Sequence, residues 1–239
     1  MEVFSVVSDV FGARCTVVVG DDGSCLVVDA GAGVAEAVVG YVRERALTPT
    51  AVLLTHGHVD HTWDAARLAE DLGVPVRMHA ADVYRLADPF GTLGILGAST
   101  GASHDPSGPL AQALLASGVD TASYRAPSDV VPFGTPQGGR DDDVVLELGA
   151  VRVVARHAPG HTQGSTLYLM EIDGEAVAFT GDVLFAGSVG RTDLPGGDAA
   201  TMADTLTQVV AQLDPQTVVV PGHGPTTDVA TELARNPYL

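Results

Sequence analysis

Thr55-His56-Gly57-His58-Val59-Asp60-His61 places three imidazoles and a carboxylate within six residues. Neutral imidazole and carboxylate are the usual ligands of a borderline divalent ion. Along extended backbone, side chains two apart share a side. His56 and His58 can therefore grip one ion from a loop that leaves a strand. Asp60 and His61, at the start of the next helix, are placed to reach a second. Three further corners repeat one arrangement, an apolar strand, a sharp Gly turn and a metal-binding residue type. They are Val151–His157 into Pro159-Gly160-His161-Thr162, Ala176–Thr180 into Gly181-Asp182, and Thr217–Val220 into Pro221-Gly222-His223-Gly224. Sites in layered α/β proteins gather at the carboxyl ends of strands. Four such corners predict one joint metal site rather than four solvated loops.

The elements that must carry these corners are legible from periodicity. Residues 3–10, 14–19 and 25–29 read as strands, and Ala32–Ala46 as a helix whose apolar face holds Val34, Ala37, Val38, Tyr41 and Val42. A strand at Ala51–Thr55 leads into the His-rich loop. Thr62–Leu72 reads as one helix, closed by Gly73 and Pro75, and Val76–His79 as a strand. Strands follow at Val144–Leu148, Val151–His157, Thr166–Met170 and Ala176–Thr180, then a helix at Ala199–Leu213 and a strand at Thr217–Val220. Between Gly91 and Asp143 the periodicity fades, apart from a helical stretch at Leu110–Ala116. A structureless loop of that length is unusual, so a partly ordered cap or insertion at about 91–143 is expected within a single domain spanning 1–239. Its Gly-rich composition makes a lid over the site the working expectation.

Composition bounds the function. With 239 residues, 46% of them hydrophobic, the chain can bury a substantial core. Net charge is −18, with 12 Arg and no Lys, which argues against nucleic acid or anionic membranes as partners, since both require basic patches. The opening Met1-Glu2-Val3-Phe4 has no basic segment or long apolar run, so a cytoplasmic location is expected. Cys15 and Cys25 flank the Gly20–Gly23 turn. A hairpin centred on Asp21 and Asp22 sets Cys15 opposite Val28 and Cys25 opposite Val18, roughly 10 Å apart along the strand and too far to bridge. Among the remaining histidines, His157 reads as structural, and His79 and His104 as non-ligands.

The four corners, in this order, resemble the metallo-β-lactamase fold superfamily. More narrowly the chain is similar to short glyoxalase II-like, hydroxyacylglutathione hydrolase-like enzymes. That closer likeness rests on Thr180-Gly181-Asp182-Val183-Leu184-Phe185, on Gly190-Arg191-Thr192-Asp193-Leu194-Pro195-Gly196-Gly197-Asp198, and on the ending Pro221–Pro225 with Asn236-Pro237-Tyr238-Leu239. It covers nearly the whole chain outside Gly91–Asp143. The implied fold is an αββα sandwich, two mixed β-sheets face to face with helices outside. The implied cofactors are two divalent metal ions, zinc first, with iron and manganese also suited to such ligands. Carried over by position, His56, His58 and His161 bind the first metal, Asp60, His61 and His223 the second, and Asp182 bridges them.

The activity implied is hydrolysis of a small acyl-thioester, with a hydroxide held between the metals, at Asp60 and Asp182, as nucleophile. Arg191 has two readings, contact with a substrate carboxylate or the developing charge, and pinning of its own loop through Asp193. An Asp at 182 together with His61 departs from the zinc β-lactamases, in which a Cys commonly serves in that region. Departures from glyoxalase II matter too. Leu239 follows His223 too closely for the helical domain that holds glutathione in those enzymes, and Pro225 stands where they carry a Tyr. Two other activities share the fold. One is a persulfide dioxygenase, with a single iron on the positions of His56, His161 and Asp182, and the other a lactonase.

Overall fold

The computed structural model describes residues 1–93, 116, 118–136 and 140–239. Two six-stranded mixed sheets face one another. The first runs in order β1 (Glu2–Val7), β2 (Arg14–Val19), β3 (Ser24–Val28), β4 (Thr48–Leu53), β5 (Val76–His79) and β6 (Val130–Phe133). Its first three strands form an antiparallel meander, and from β3 to β6 neighbours are parallel. The remaining strands are β7 (Val144–Leu148), β8 (Val151–His157), β9 (Thr166–Ile172), β10 (Glu175–Gly181), β11 (Leu184–Phe185), β12 (Ser188–Val189), β13 (Val218–Pro221) and β14 (Thr227–Asp228). They build the second sheet in the order β14-β13-β10-β9-β8-β7, with β11 and β12 paired as a separate hairpin.

The central strands are apolar throughout because both of their faces are covered. Period-two alternation divides them between two cores. Leu26 and Val28 of β3 with Ala51 and Leu53 of β4 point inward to Val153, Tyr168 and Phe179 of the second sheet. Cys25, Val27 and Val52 point outward to α1 (Ala35–Glu44) and α3 (Ala65–Leu72), meeting Val38, Val42 and Leu68. On the far side, Leu167, Ala178 and Val219 meet Met202 and Leu206 of α5 (Ala199–Gln208) and Val229 of α6 (Val229–Arg235), α4 being the short helix Val83–Ala87 after β5. The layers are helix, sheet, sheet, helix. Each fully buried leucine, such as Leu26 or Leu53, contributes about 2 kcal/mol by leaving water.

Several expectations shift. The β2–β3 register is displaced by one, with Thr16 opposite Val28 and Val19 opposite Cys25. The cause is Gly23, which adopts a left-handed φ of 80° and adds a bulge residue to the turn. Cys15 and Cys25 remain free and buried. The helix expected over Thr62–Leu72 is split into α2 (Val59–Thr62) and α3, because the Asp64 N–H leaves the helical ladder for the Ala30 carbonyl (2.8 Å), while the Asp64 carboxylate accepts the Ala35 N–H at the start of α1 (2.9 Å). Ala37 is exposed, and Ala35 and Val39 take its place on the buried face of α1. The helix expected to reach Leu213 ends at Gln208 and continues as a 3-10 turn over Val210–Gln212. Strand β6 falls in the stretch where periodicity fades and a cap or insertion is expected, and it pairs with β5 along the sheet edge where Pro132 is tolerated. His104 and the helical stretch at Leu110–Ala116, apart from Ala116 itself, lie outside the described residues. No helix among the described residues is long and apolar enough to cross a membrane.

Candidate metal centre

All four corners open at one end of the sandwich. His56, Gly57 and His58 follow β4, His58 in extended backbone with φ −72° and ψ 147°, and α2 then raises Asp60 and His61. His161 follows β8, Asp182 follows β10 and His223 follows β13. Gly222 makes the closure possible, since a Cβ there would lie 2.5 Å from Asp182 Oδ1 and 2.6 Å from His61 Cε1.

The seven side chains meet in overlapping sets. His56, His58 and His161 form one, His56, His61 and Asp182 a second, and Asp60, His61 and His223 a third, with the donor atoms of each set within 4.8 Å of one another. His58 Nδ1 lies 2.9 Å from His161 Nε2, and His61 Nε2 lies 3.2 Å from His223 Nε2. Asp182 reaches into both groups, with Oδ1 3.3 Å from His61 Nε2 and Oδ2 3.6 Å from both His161 Nε2 and His223 Nε2. Asp60 Oδ2 is 3.2 Å from His223 Nε2.

Hydrogen bonds on the outer ring atoms determine what the inner atoms offer. Thr55 Oγ1 donates to Asp29 (2.8 Å) and therefore accepts from His56 Nδ1 (3.1 Å). His61 Nδ1 donates to Asp29 Oδ2 (2.9 Å), and His161 Nδ1 to the carbonyl of Arg191 (2.7 Å). In all three rings the Nε2 lone pair is left facing the centre. His56 Nε2 and Asp182 Oδ1 are buried there with no hydrogen-bond partner among the described residues. Converging acceptors without donors call for a cation. Electrostatics agree. Burial lowers the basicity of His61, but the carboxylates of Asp182, Asp60 and Asp29 prevail and raise it well above the ordinary histidine value. His56 and His58, set among other imidazoles, are lowered by burial and by their neighbours, His58 to about 3. The carboxylate side of the site attracts positive charge, and the imidazole side stays neutral and able to bind metal.

The metallo-beta-lactamase superfamily model matches residues 8–223, which contain all seven side chains. The chain belongs to this superfamily. It is 36% identical over 217 residues to an uncharacterized protein of Mycobacterium tuberculosis, covering 90% of this chain and 86% of that one. A probable metallo-hydrolase of Bacillus subtilis is 34% identical over 218 residues (91% and 88%), and a hydroxyacylglutathione hydrolase of Haemophilus influenzae 27% over 230 residues (96% and 93%). Among solved structures, the BLEG-1 B3 metallo-beta-lactamase superposes with a TM-score of 0.74 at 28% identity, covering 100% of this chain and 99% of that one. A protein crystallised in a di-iron-bound form gives 0.71, also at 28% identity, covering 99% and 100%. Relatives named as hydrolases fall in this superfamily, and the donor set described above fits divalent ions.

A cleft of about 410 Å³ opens onto the centre, walled by Phe11, Val59, Leu93, Phe185 and Leu194, with Arg191 at its rim. The Arg191 guanidinium forks onto Asp193 at 2.7 and 2.8 Å, and this pairing holds the Asp193 carboxyl at about 2. A larger cavity, about 1050 Å³, lies behind the His161 turn and touches none of the seven side chains.

A second cluster, His79, Asp141 and His157, has metal-like spacing as well. The two rings stack 3.8 Å apart at 14°. His79 Nδ1 accepts from the Ala81 N–H, and its Nε2 donates to Asp141 (3.0 Å). His157 Nδ1 accepts from the Asp141 N–H, and its Nε2 donates to the Gln163 carbonyl (2.7 Å). Every ring nitrogen is engaged, so no lone pair remains for an ion.

Sequence reasoning missed three buried residues beside the centre, Asp29, Asp82 and Arg85. Asp29 was within reach of the corner rule, since it follows β3 and precedes Ala30-Gly31. Asp82 and Arg85 carry no such signal, because charged residues at a helix start read as solvated.

Proposed function

We propose that this chain is a dinuclear metallohydrolase that cleaves a small acyl-thioester. The observation that carries it is the bridging position of Asp182 between two groups of donors. His56, His58 and His161 would hold one ion, Asp60, His61 and His223 the other, with Asp182 shared between them. Bound here, two divalent ions supply Lewis acidity and bring the pKa of a water near neutrality.

The chain's own residues do the rest. Thr55 and Asp29 engage the Nδ1 atoms of His56 and His61 and so aim their Nε2 atoms inward. The Arg191 carbonyl does the same for His161. The apolar walls of the cleft suit an acyl chain and limit water around the scissile carbonyl. A thiol leaves readily as thiolate, its pKa being about 8.5. No separate protein acid is then required for departure. The likeness to a hydroxyacylglutathione hydrolase supports the thioester class.

The test is steady-state hydrolysis of S-lactoylglutathione and other acyl-thioesters by metal-quantified protein, beside a lactone, a cephalosporin and oxygen uptake with glutathione persulfide. Thioester cleavage at the highest kcat/KM supports the reading. Oxygen uptake with one iron per chain, or preference for the lactone or cephalosporin, would replace it.

A further inference from the structure

Asp82 is fully buried and sits on the 3-10 turn Ala80–Asp82 that ends β5, away from every proposed metal ligand in sequence. Its carboxylate accepts four hydrogen bonds. Oδ2 takes the Gly57 N–H (2.8 Å) and the Thr162 hydroxyl (2.7 Å), and Oδ1 takes the Gly164 N–H (2.9 Å) and Arg85 Nε (3.2 Å). Gly57 lies between His56 and His58, and Thr162 directly follows His161. One carboxylate thus ties together the two loops, from opposite sheets, that carry the three-histidine set. It makes no hydrogen bond to Asp60, His61 or His223 among the described residues.

The surroundings fix Asp82 in turn. Its turn is capped by His79, which accepts the Ala81 N–H. Arg85, also fully buried, donates onward to Gln163 Oε1 and the Pro195 carbonyl, both at 2.8 Å. The approach is tight. A Cβ on Gly57 would fall 2.7 Å from Arg85 Cδ, and one on Gly164 2.7 Å from Asp82 Cβ. A charged acceptor saturated by donors from two loops resists any change in their spacing.

We infer that Asp82 is the positioning residue of the three-histidine subsite, holding the loops of His56, His58 and His161 at ligand spacing, while Asp29 serves His61 from the other side. This rests on the metal centre proposed above, and it is read by metal affinity rather than turnover. In a His223→Ala background, which keeps the three-histidine set, Zn(II) affinity is measured by competition with a chromophoric chelator. Asp82→Asn, which retains the volume but not the acceptor capacity, is expected to weaken Zn(II) roughly 10- to 100-fold, the range seen when partners of metal ligands are removed. Thr162→Val, which deletes one of the four bonds and leaves the charge pair with Arg85 intact, is expected to weaken it several-fold. It decides the matter if Asp82→Asn does not fold. Unchanged affinity in folded Asp82→Asn, or in Thr162→Val, would overturn the inference and leave the metal centre standing. Failure of the parent protein to bind Zn(II) at all would overturn both.

Discussion

Two groups of histidine and aspartate occupy this molecule, and they differ in where their hydrogen bonds are made. In the stacked pair His79 and His157 all four ring nitrogens are engaged by Asp141, Ala81 and Gln163. At the centre, the outer nitrogens of His56, His61 and His161 are engaged, while His56 Nε2 and Asp182 Oδ1 are buried with no hydrogen-bond partner among the described residues. Spacing alone does not separate the two, since both bring donors within 4.8 Å. Satisfaction does. A buried polar group without a partner costs about 1–3 kcal/mol, so a cluster of them persists where a ligand repays the cost.

The largest break in that comparison is Asp182→Ala. It removes the residue shared by both donor groups and should lower thioester turnover about 10³-fold or more, with metal content falling below two per chain by elemental analysis. Metal removal comes next. Saturating ions at a thousandfold their Kd stabilise by about 4 kcal/mol, so a chelator should lower the thermal midpoint by roughly 10 °C, reversibly on re-addition. On the other side, His157→Leu strands the Asp141 N–H and the Gln163 carbonyl. It should cost about 1–3 kcal/mol in denaturant unfolding while leaving metal content unchanged. Loss of metal there would dissolve the distinction between the clusters.

The smallest effect is the dependence of stability on pH. Burial, and for His79 the neighbouring His157, holds both imidazoles below the ordinary histidine value. The unfolded chain therefore takes up protons below about pH 6.5 that the native chain refuses. The stabilisation from the pair is complete above that pH and is lost as the solution becomes more acid. The gap in thermal midpoint between wild type and His157→Gln should narrow from pH 7.5 to 5.5. A constant gap would mean that the pair titrates normally.

The corners were legible because strand, Gly and ligand type coincide within a few residues, as at Gly181-Asp182 and Gly222-His223. So were the strands, since period-two apolar patterning divides β2, β3 and β4 between two cores. Other features depend on contacts distant in sequence. Asp64 breaks a helix by turning its N–H to the Ala30 carbonyl, and Gly23 shifts a register through one backbone angle. The edge strand β6 is four residues long, has Val131 and Pro132 exposed, and exists by pairing with β5. Asp82 collects donors from 25, 80 and 82 residues away, which no local pattern encodes.

The proposed two-metal hydrolase centre draws on all seven side chains. Elemental analysis of the purified protein, with His61→Ala in parallel, tests it most directly. Two divalent ions per chain, falling to one in His61→Ala together with thioester turnover, is the predicted result. A single ion in wild type, retained with full activity in His61→Ala, would contradict it.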